Sequence, residues 1–191
     1  MDTKVMSADI DIDFGDRSSI LTLIKHIPAR QQDRKHNSGV YVTPIPVDPV
    51  CNCASIDYKR AEELGYFKID FLNVHVYEHI KDQAHYDQLM NTEPPWHKLH
   101  DPEFVEKIIH INNYANILKD LDVNSIPRMA MFLAMIRPGK KHLIGKPWKE
   151  VSETVWDKTD DGYTFKRAHA VSYAHLVVLH MNIVNQHAAQ E

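Results

Sequence analysis

The chain has 191 residues, 43% of them hydrophobic, enough to bury one sizeable core or one core with a small helical appendage. Its 22 basic and 26 acidic residues leave a formal net charge of -4, which gives no global attraction for a polyanion, so any nucleic-acid contact has to come from local patches. No apolar run approaches the roughly 20 residues of a membrane span, and the N-terminus does not read as a signal peptide, which predicts a chain that neither crosses a membrane nor is secreted. The two cysteines, Cys51 and Cys53, are separated by a single residue, a spacing that rarely reaches disulfide geometry; unpaired thiols in a reducing cytoplasm are expected. The 13 histidines match no zinc spacing.

In chain order, Asp9 to Phe14 alternates carboxylate and apolar side chains at period two, which predicts a strand with one acidic and one apolar face. Ser18 or Ser19 caps a short expected helix through Ile20, Leu23 and Ile27, ended by Pro28. A basic stretch, Arg30 to His36, leads to a second expected strand, Val40 to Thr43. Ala54 to Tyr58 is a further strand candidate and Arg60 to Leu64 a helical turn closed by Gly65; Tyr66 to Phe71 then alternates as a strand, with Lys68 and Asp70 on one face. A helix is predicted from Val74 to about Met90, stopped by Pro94-Pro95. Beyond it the chain reads as helical: Phe104 to Ile111 after Pro102, Ala115 to Leu121, Ile126 to Ile136 stopped by Pro138-Gly139, a polar connection from Lys140 to Gly162, and a last helix from about Ala168 to His187. A small sheet followed by helices is an α+β layout.

Three carboxylates at i, i+2 and i+4 of a strand project from one face and repel one another unless cations hold them. Hard divalent cations take oxygen ligands, and a further carboxylate from a neighbouring strand, with Asp70 the candidate, would complete a two-metal site with ions ~4 Å apart. The bland alternative for Asp9, Asp11 and Asp13 is a solvated strand face.

Four blocks of the chain, in order, resemble the C-family bacterial replicase, the DNA polymerase III alpha subunit. Ala8-Asp9-Ile10-Asp11-Ile12-Asp13-Phe14 is similar to the family's Pro-Asp-x-Asp-x-Asp-Phe strand, whose first two aspartates are metal ligands. Arg34 to Pro44 resembles its Lys-His-Ala-Gly-Gly-Val stretch, with His36 and Gly39 in place. Gly65-Tyr66-Phe67-Lys68-Ile69-Asp70-Phe71-Leu72 resembles Gly-x-x-Lys-x-Asp-Phe-Leu, whose aspartate is the third ligand and whose lysine neutralises nucleotide phosphate. Ala134 to Gly139 looks like the Arg-Pro-Gly turn, and Phe165 to Ala174 like the helix start Phe-Asn-Lys-Ser-His-x-x-x-Tyr-Ala. The resemblance implies a single reduced polymerase core over 1–191, with a palm-like sheet of the polymerase-beta nucleotidyltransferase type over about 1–90 and a helical, fingers-like region over about 91–191. It implies Asp9, Asp11 and Asp70 as catalytic ligands of two Mg²⁺, with Mn²⁺ able to substitute. His36, Lys68, Arg137, Arg167 and His169 are the implied substrate-binding residues. The implied reaction adds nucleotides from deoxynucleoside triphosphates to the 3′-hydroxyl of a DNA primer-template in DNA replication, with pyrophosphate leaving.

The chain departs from the family in lacking the Gly-Ser loop that grips the triphosphate and most of the thumb. Those departures leave open a split polymerase that needs a second chain or replisome component, a miniature transferase with another acceptor, or a non-catalytic replicase-like binding or regulatory module. A compact chain fits a viral or mobile-element gene, acting in the host cytoplasm. A phosphoesterase using His26, His36, His75 or His79 as base or ligand is the remaining reading, and these four form no recognisable metal pattern.

Overall fold

The computed structural model describes residues 10–158 and 165–189. The chain is a mixed α+β protein that divides into two compact units, one up to His79 and one from Ile80 onward.

The first unit is built on a four-stranded mixed sheet. Its strands are β1 (Ile10–Phe14), β2 (Ile27–Gln31), β3 (Arg34–Tyr41) and the last strand of the unit, β6 (Ile69–Asn73), in the order β1-β6-β3-β2. β1 and β6 run parallel, while β6–β3 and β3–β2 are antiparallel. Between β3 and β6 lie a two-stranded ribbon of β4 (Val47–Asp48) and β5 (Cys53–Ala54) and the short helix α2 (Tyr58–Glu63). Ala29, Tyr41, Ile45, Ala54 and Ala61 form a small core under this region. Asp57 caps α2 by accepting from the Lys59 N–H, and Gly65, at φ 85°, supplies the left-handed step that ends it.

Three local expectations are corrected here. The helix after β1, α1 (Arg17–Leu23), is capped by Asp16 rather than by a serine and stops before Ile27, which opens β2. Pro28 is accommodated because β2 is an edge strand, where a missing N–H costs no ladder bond on the open side. The apolar face of β1 is not covered: Ile10 and Ile12 are 41% and 39% exposed, as befits an edge strand of a small sheet. Cys51 and Cys53 are disulfide-bonded, with Cα atoms 5.3 Å apart. The turn between β4 and β5 draws them together, with Asn52 in the left-handed region at φ 50°. The reasoning that led from unpaired thiols to a reducing cytoplasm therefore loses its footing. No helix among the described residues is long and apolar enough to cross a membrane.

The second unit is helical: α3 (Gln83–Asn91), α4 (Pro102–Val105), α5 (Ala115–Leu118), α6 (Ile126–Met135), α7 (Trp148–Thr154) and α8 (Arg167–Ala188). The long helix expected from Val74 is two elements, because residues His75–His79 form a 3-10 turn and Asp82 starts α3 afresh by accepting from the His85 N–H. The helix expected over Phe104 to Ile111 is only the single turn of α4, and His110 beyond it is left-handed at φ 66°. Ser125 accepts the Arg128 N–H to start α6, and Gly139 at φ 81° follows its end. α6 packs along α8 through Met129, Phe132, Leu133, Ala170, Ala174, Val177 and Met181. Buried Asn182 on α8 donates to the carbonyls of Leu89 (2.8 Å) and Thr92 (3.0 Å), satisfying the end of α3.

Candidate active site

Register decides which carboxylates meet. Asp11 on β1 is the parallel partner of Asp70 on β6, and Asp13 the partner of Leu72. Side chains of register partners lie on one face of a sheet, with neighbouring strands ~4.8 Å apart. Asp11, Asp13 and Asp70 therefore share a face, while Ile10, Ile12, Ile69 and Phe71 share the other. Two like charges this close raise each other's proton affinity, and the Asp13 carboxyl is pushed up, first by partial burial and then by the Asp11 charge. Asp9 lies outside the described residues.

Asp70 behaves differently because it is compensated. It is only 8% exposed. Burial pushes its carboxyl up, but hydrogen bonds from Lys68 and Ser38, with the Lys68 charge, outweigh burial and hold it below the usual carboxylate range. The Lys68 ammonium pairs with Oδ2, and the Ser38 hydroxyl donates to Oδ1 at 2.6 Å.

A bulge in β3 delivers Ser38. Pro28 pairs with Val40 and Arg30 with Lys35, so between these pairs four residues of β3 stand against one of β2 and the register shifts. The displaced segment, His36 to Ser38, folds back, with the His36 Nδ1 accepting the N–H groups of Gly39 (2.9 Å) and Ser38 (3.2 Å). Beyond Gly39, which faces Asp70, the β3–β6 ladder has no rung; the Phe71 carbonyl there accepts from the Arg17 guanidinium at 3.0 Å. Gly39 is required at that point. A Cβ on it would stand 2.7 Å from the Lys68 Cδ and 3.1 Å from the His36 Nδ1, so the missing side chain is what lets the Lys68 stem and the His36 ring lie against the strand.

His36 Nδ1 also lies 3.7 Å from the Asp70 Oδ1, a distance that suggests an ion pair. The backbone N–H groups rule that out: Nδ1 is an acceptor, so the ring is neutral with its proton on Nε2. In keeping with this, burial and then the Lys68 charge hold the imidazole below its ordinary value. The Tyr58 ring closes the cluster, 5.1 Å from His36 and 5.8 Å from the Lys68 ammonium.

The structure thus brings together Asp11, Asp70, Lys68 and His36 of the expected site residues. Arg137, Arg167 and His169 belong to the second unit. There the Arg137 guanidinium lies over Phe165 (4.6 Å) and that of Arg167 over Trp156 (5.8 Å), while His169 meets the Tyr173 ring edge-on. Ser38, Arg17 and Tyr58 carry roles that periodicity does not reveal; Ser38 at least sits inside the block that resembles the replicase. Of the other histidines weighed as ligands, His26 is tied to the Ile24 carbonyl and His75 to Glu78.

No group of three or more His, Cys, Asp or Glu suited to a metal occurs among the described residues. The donors present do fit Mg²⁺ in kind, being carboxylate oxygens at paired positions of adjacent strands, and the Lys68 ammonium already occupies a cation position on Asp70. Comparisons with family models, with curated proteins and with solved structures find no match.

Two outcomes are expected. Gly39→Ala forces the Lys68 stem off the strand and lowers stability by about 1–3 kcal/mol in chemical denaturation. Because the folded His36 resists protonation, its contribution is complete above the unfolded value near 6.5 and is lost as pH falls through that value toward the lower folded one. His36→Asn, whose side-chain oxygen replaces the Nδ1 acceptor without titrating, should flatten the decline in melting temperature between about pH 7 and pH 5. A decline as steep as in the wild type would assign it to other groups.

Proposed function

We propose that this chain is a metal-dependent nucleotidyltransferase with a reduced palm-type sheet, related to the catalytic core of the DNA polymerase III alpha subunit, that adds nucleotides to a nucleic-acid 3′-hydroxyl. The observation that carries this reading is the parallel register of Asp11 against Asp70, with Asp70 kept ionised despite its burial. An acidic strand and a Lys-x-Asp strand, 59 residues apart at these positions, become neighbours on one face, which a solvated acidic strand alone does not require.

In this reading Asp11 and Asp70, with Asp9 two positions earlier in the sequence, are the ligands of two Mg²⁺ ions. Such ions, when bound, activate the attacking hydroxyl and neutralise the leaving pyrophosphate. The chain's own residues do the rest. Ser38 keeps the Asp70 carboxylate oriented through Oδ1. Lys68, which pairs with Oδ2, would with a divalent cation on that carboxylate be a donor for phosphate oxygens. His36 shapes the bulge through Nδ1 and keeps a proton on Nε2 for a substrate oxygen. DNA primer-template and deoxynucleoside triphosphate are the proposed substrates, with a second polymerase chain or replisome component as a proposed partner.

A second reading, a non-catalytic replicase-like binding module, is favoured by one observation: both oxygens of Asp70 are satisfied within the chain. Primer extension with labelled deoxynucleotides in Mg²⁺ or Mn²⁺ separates the two. Wild type should incorporate nucleotide, and Asp70→Asn and Asp11→Asn should each lose at least roughly a hundredfold. Asp11 sits on an exposed strand, so its variant separates lost chemistry from lost fold. Equal incorporation by wild type and both variants removes the catalytic assignment; no incorporation by any of them, with tight binding to DNA or to a replicase subunit, supports the binding module.

A further inference from the structure

We propose that a cleft of about 310 Å³ in the helical unit, lined by His110, Tyr114, Arg137 and Lys141, binds a phosphate ester. It is formed wholly within that unit, and so stands independently of the carboxylate face. Its size is at the lower end of small-molecule sites, suited to a phosphate group with part of its sugar or base.

The charge of the lining is the main reason. Arg137 and Lys141 enter none of the ion pairs among the described residues, in a chain whose net charge is -4. The Arg137 Nε is buried and has no hydrogen-bond partner among the described residues. A buried guanidinium N–H left unmet is costly, and the charge of Arg137, which lines the cleft, attracts an oxyanion. The guanidinium is fixed by Phe165, 4.6 Å away, whose ring stacks in turn on Tyr173. It sits just past the end of α6, at the Arg137-Pro138 corner, so its backbone is set by the helix terminus.

His110 supplies a second polar wall and a sign of functional strain. Its φ of 66° is a left-handed conformation that residues with a side chain seldom adopt, and its ring lies 4.8 Å from Tyr173. Burial, and then the nearby Arg137 charge, hold its imidazole below the ordinary value, so near neutral pH it offers a donor and an acceptor without adding charge. Tyr114 provides an aromatic flank. Two cations, one neutral imidazole and a ring around a small opening are the chemistry of a phosphate carried on a sugar or base, rather than of a bare carboxylate or an apolar ligand.

The ligand can be a free nucleotide or the backbone of a nucleic acid. Isothermal titration of the full chain in metal-free buffer with pyrophosphate, with dATP and with a short single-stranded oligonucleotide distinguishes them. Saturable binding is expected, weakened about tenfold or more in Arg137→Gln and severalfold in Lys141→Gln. Lys141 is exposed, so its variant tests the site without disturbing the core. Binding of pyrophosphate and dATP assigns a free nucleotide, and binding of the oligonucleotide alone assigns a nucleic-acid backbone. No saturable binding of any of the three, or binding that both substitutions leave unchanged, overturns the site.

Discussion

An ionised carboxylate that is almost buried has to be compensated, and the acidic face of the first unit is arranged around that need at Asp70. Lys68 two residues earlier brings a cation to one oxygen, and Ser38 from the neighbouring strand brings a hydroxyl to the other. A side chain at position 39 would crowd the Lys68 stem and the His36 ring. The β3 bulge lets Ser38 leave its rung, the bare backbone of Gly39 lets the lysine stem lie flat, and the His36 Nδ1 absorbs the N–H groups that the bulge sets loose. Removing one partner of such a buried pair costs more than the pair itself contributes, because the other charge is stranded.

The same compensation makes the face chemically interesting. Asp11, opposite Asp70 on the neighbouring strand, is a second carboxylate on the same face, and its charge already disturbs Asp13. In the proposed function the carboxylate oxygens of Asp11 and Asp70 would suit a hard cation. Lys68 and a divalent ion would compete for the same oxygen of Asp70. The structure holds the ion pair closed within the chain; in the proposed function a bound cation would free the lysine for a phosphate oxygen.

Much of this was legible in the sequence, and the reasons for the rest are specific. The alternation over Asp9 to Phe14 and the Lys-x-Asp spacing at Lys68 and Asp70 each fixed a strand face, because side-chain direction in a strand follows from period two alone. That Asp11 lies opposite Asp70 is not derivable from periodicity, since register between strands distant in sequence depends on tertiary packing; the chemistry of a shared cation site and the resemblance to the replicase both point to Asp70 as the neighbour, but not to its register. The His36 bulge was hidden because a bulge breaks the alternation on which a strand is recognised. Pro28 read as a helix stop, when what mattered was its place on an edge strand. The Val74 helix was overextended because Asp82, a starting cap in the middle of a helical period, looks like any polar face residue. Cys51 and Cys53 were judged by separation along the chain, while the β4–β5 turn decides their separation in space.

Mn²⁺ binding, followed by electron paramagnetic resonance on wild type, Asp11→Asn and Lys68→Met, tests the shared cation position most directly. The account predicts that Mn²⁺ binds the wild type, binds several-fold more tightly when the competing ammonium is removed in Lys68→Met, and is largely lost in Asp11→Asn. Equal Mn²⁺ affinity in all three proteins, or none in any, would contradict a cation site between Asp11 and Asp70.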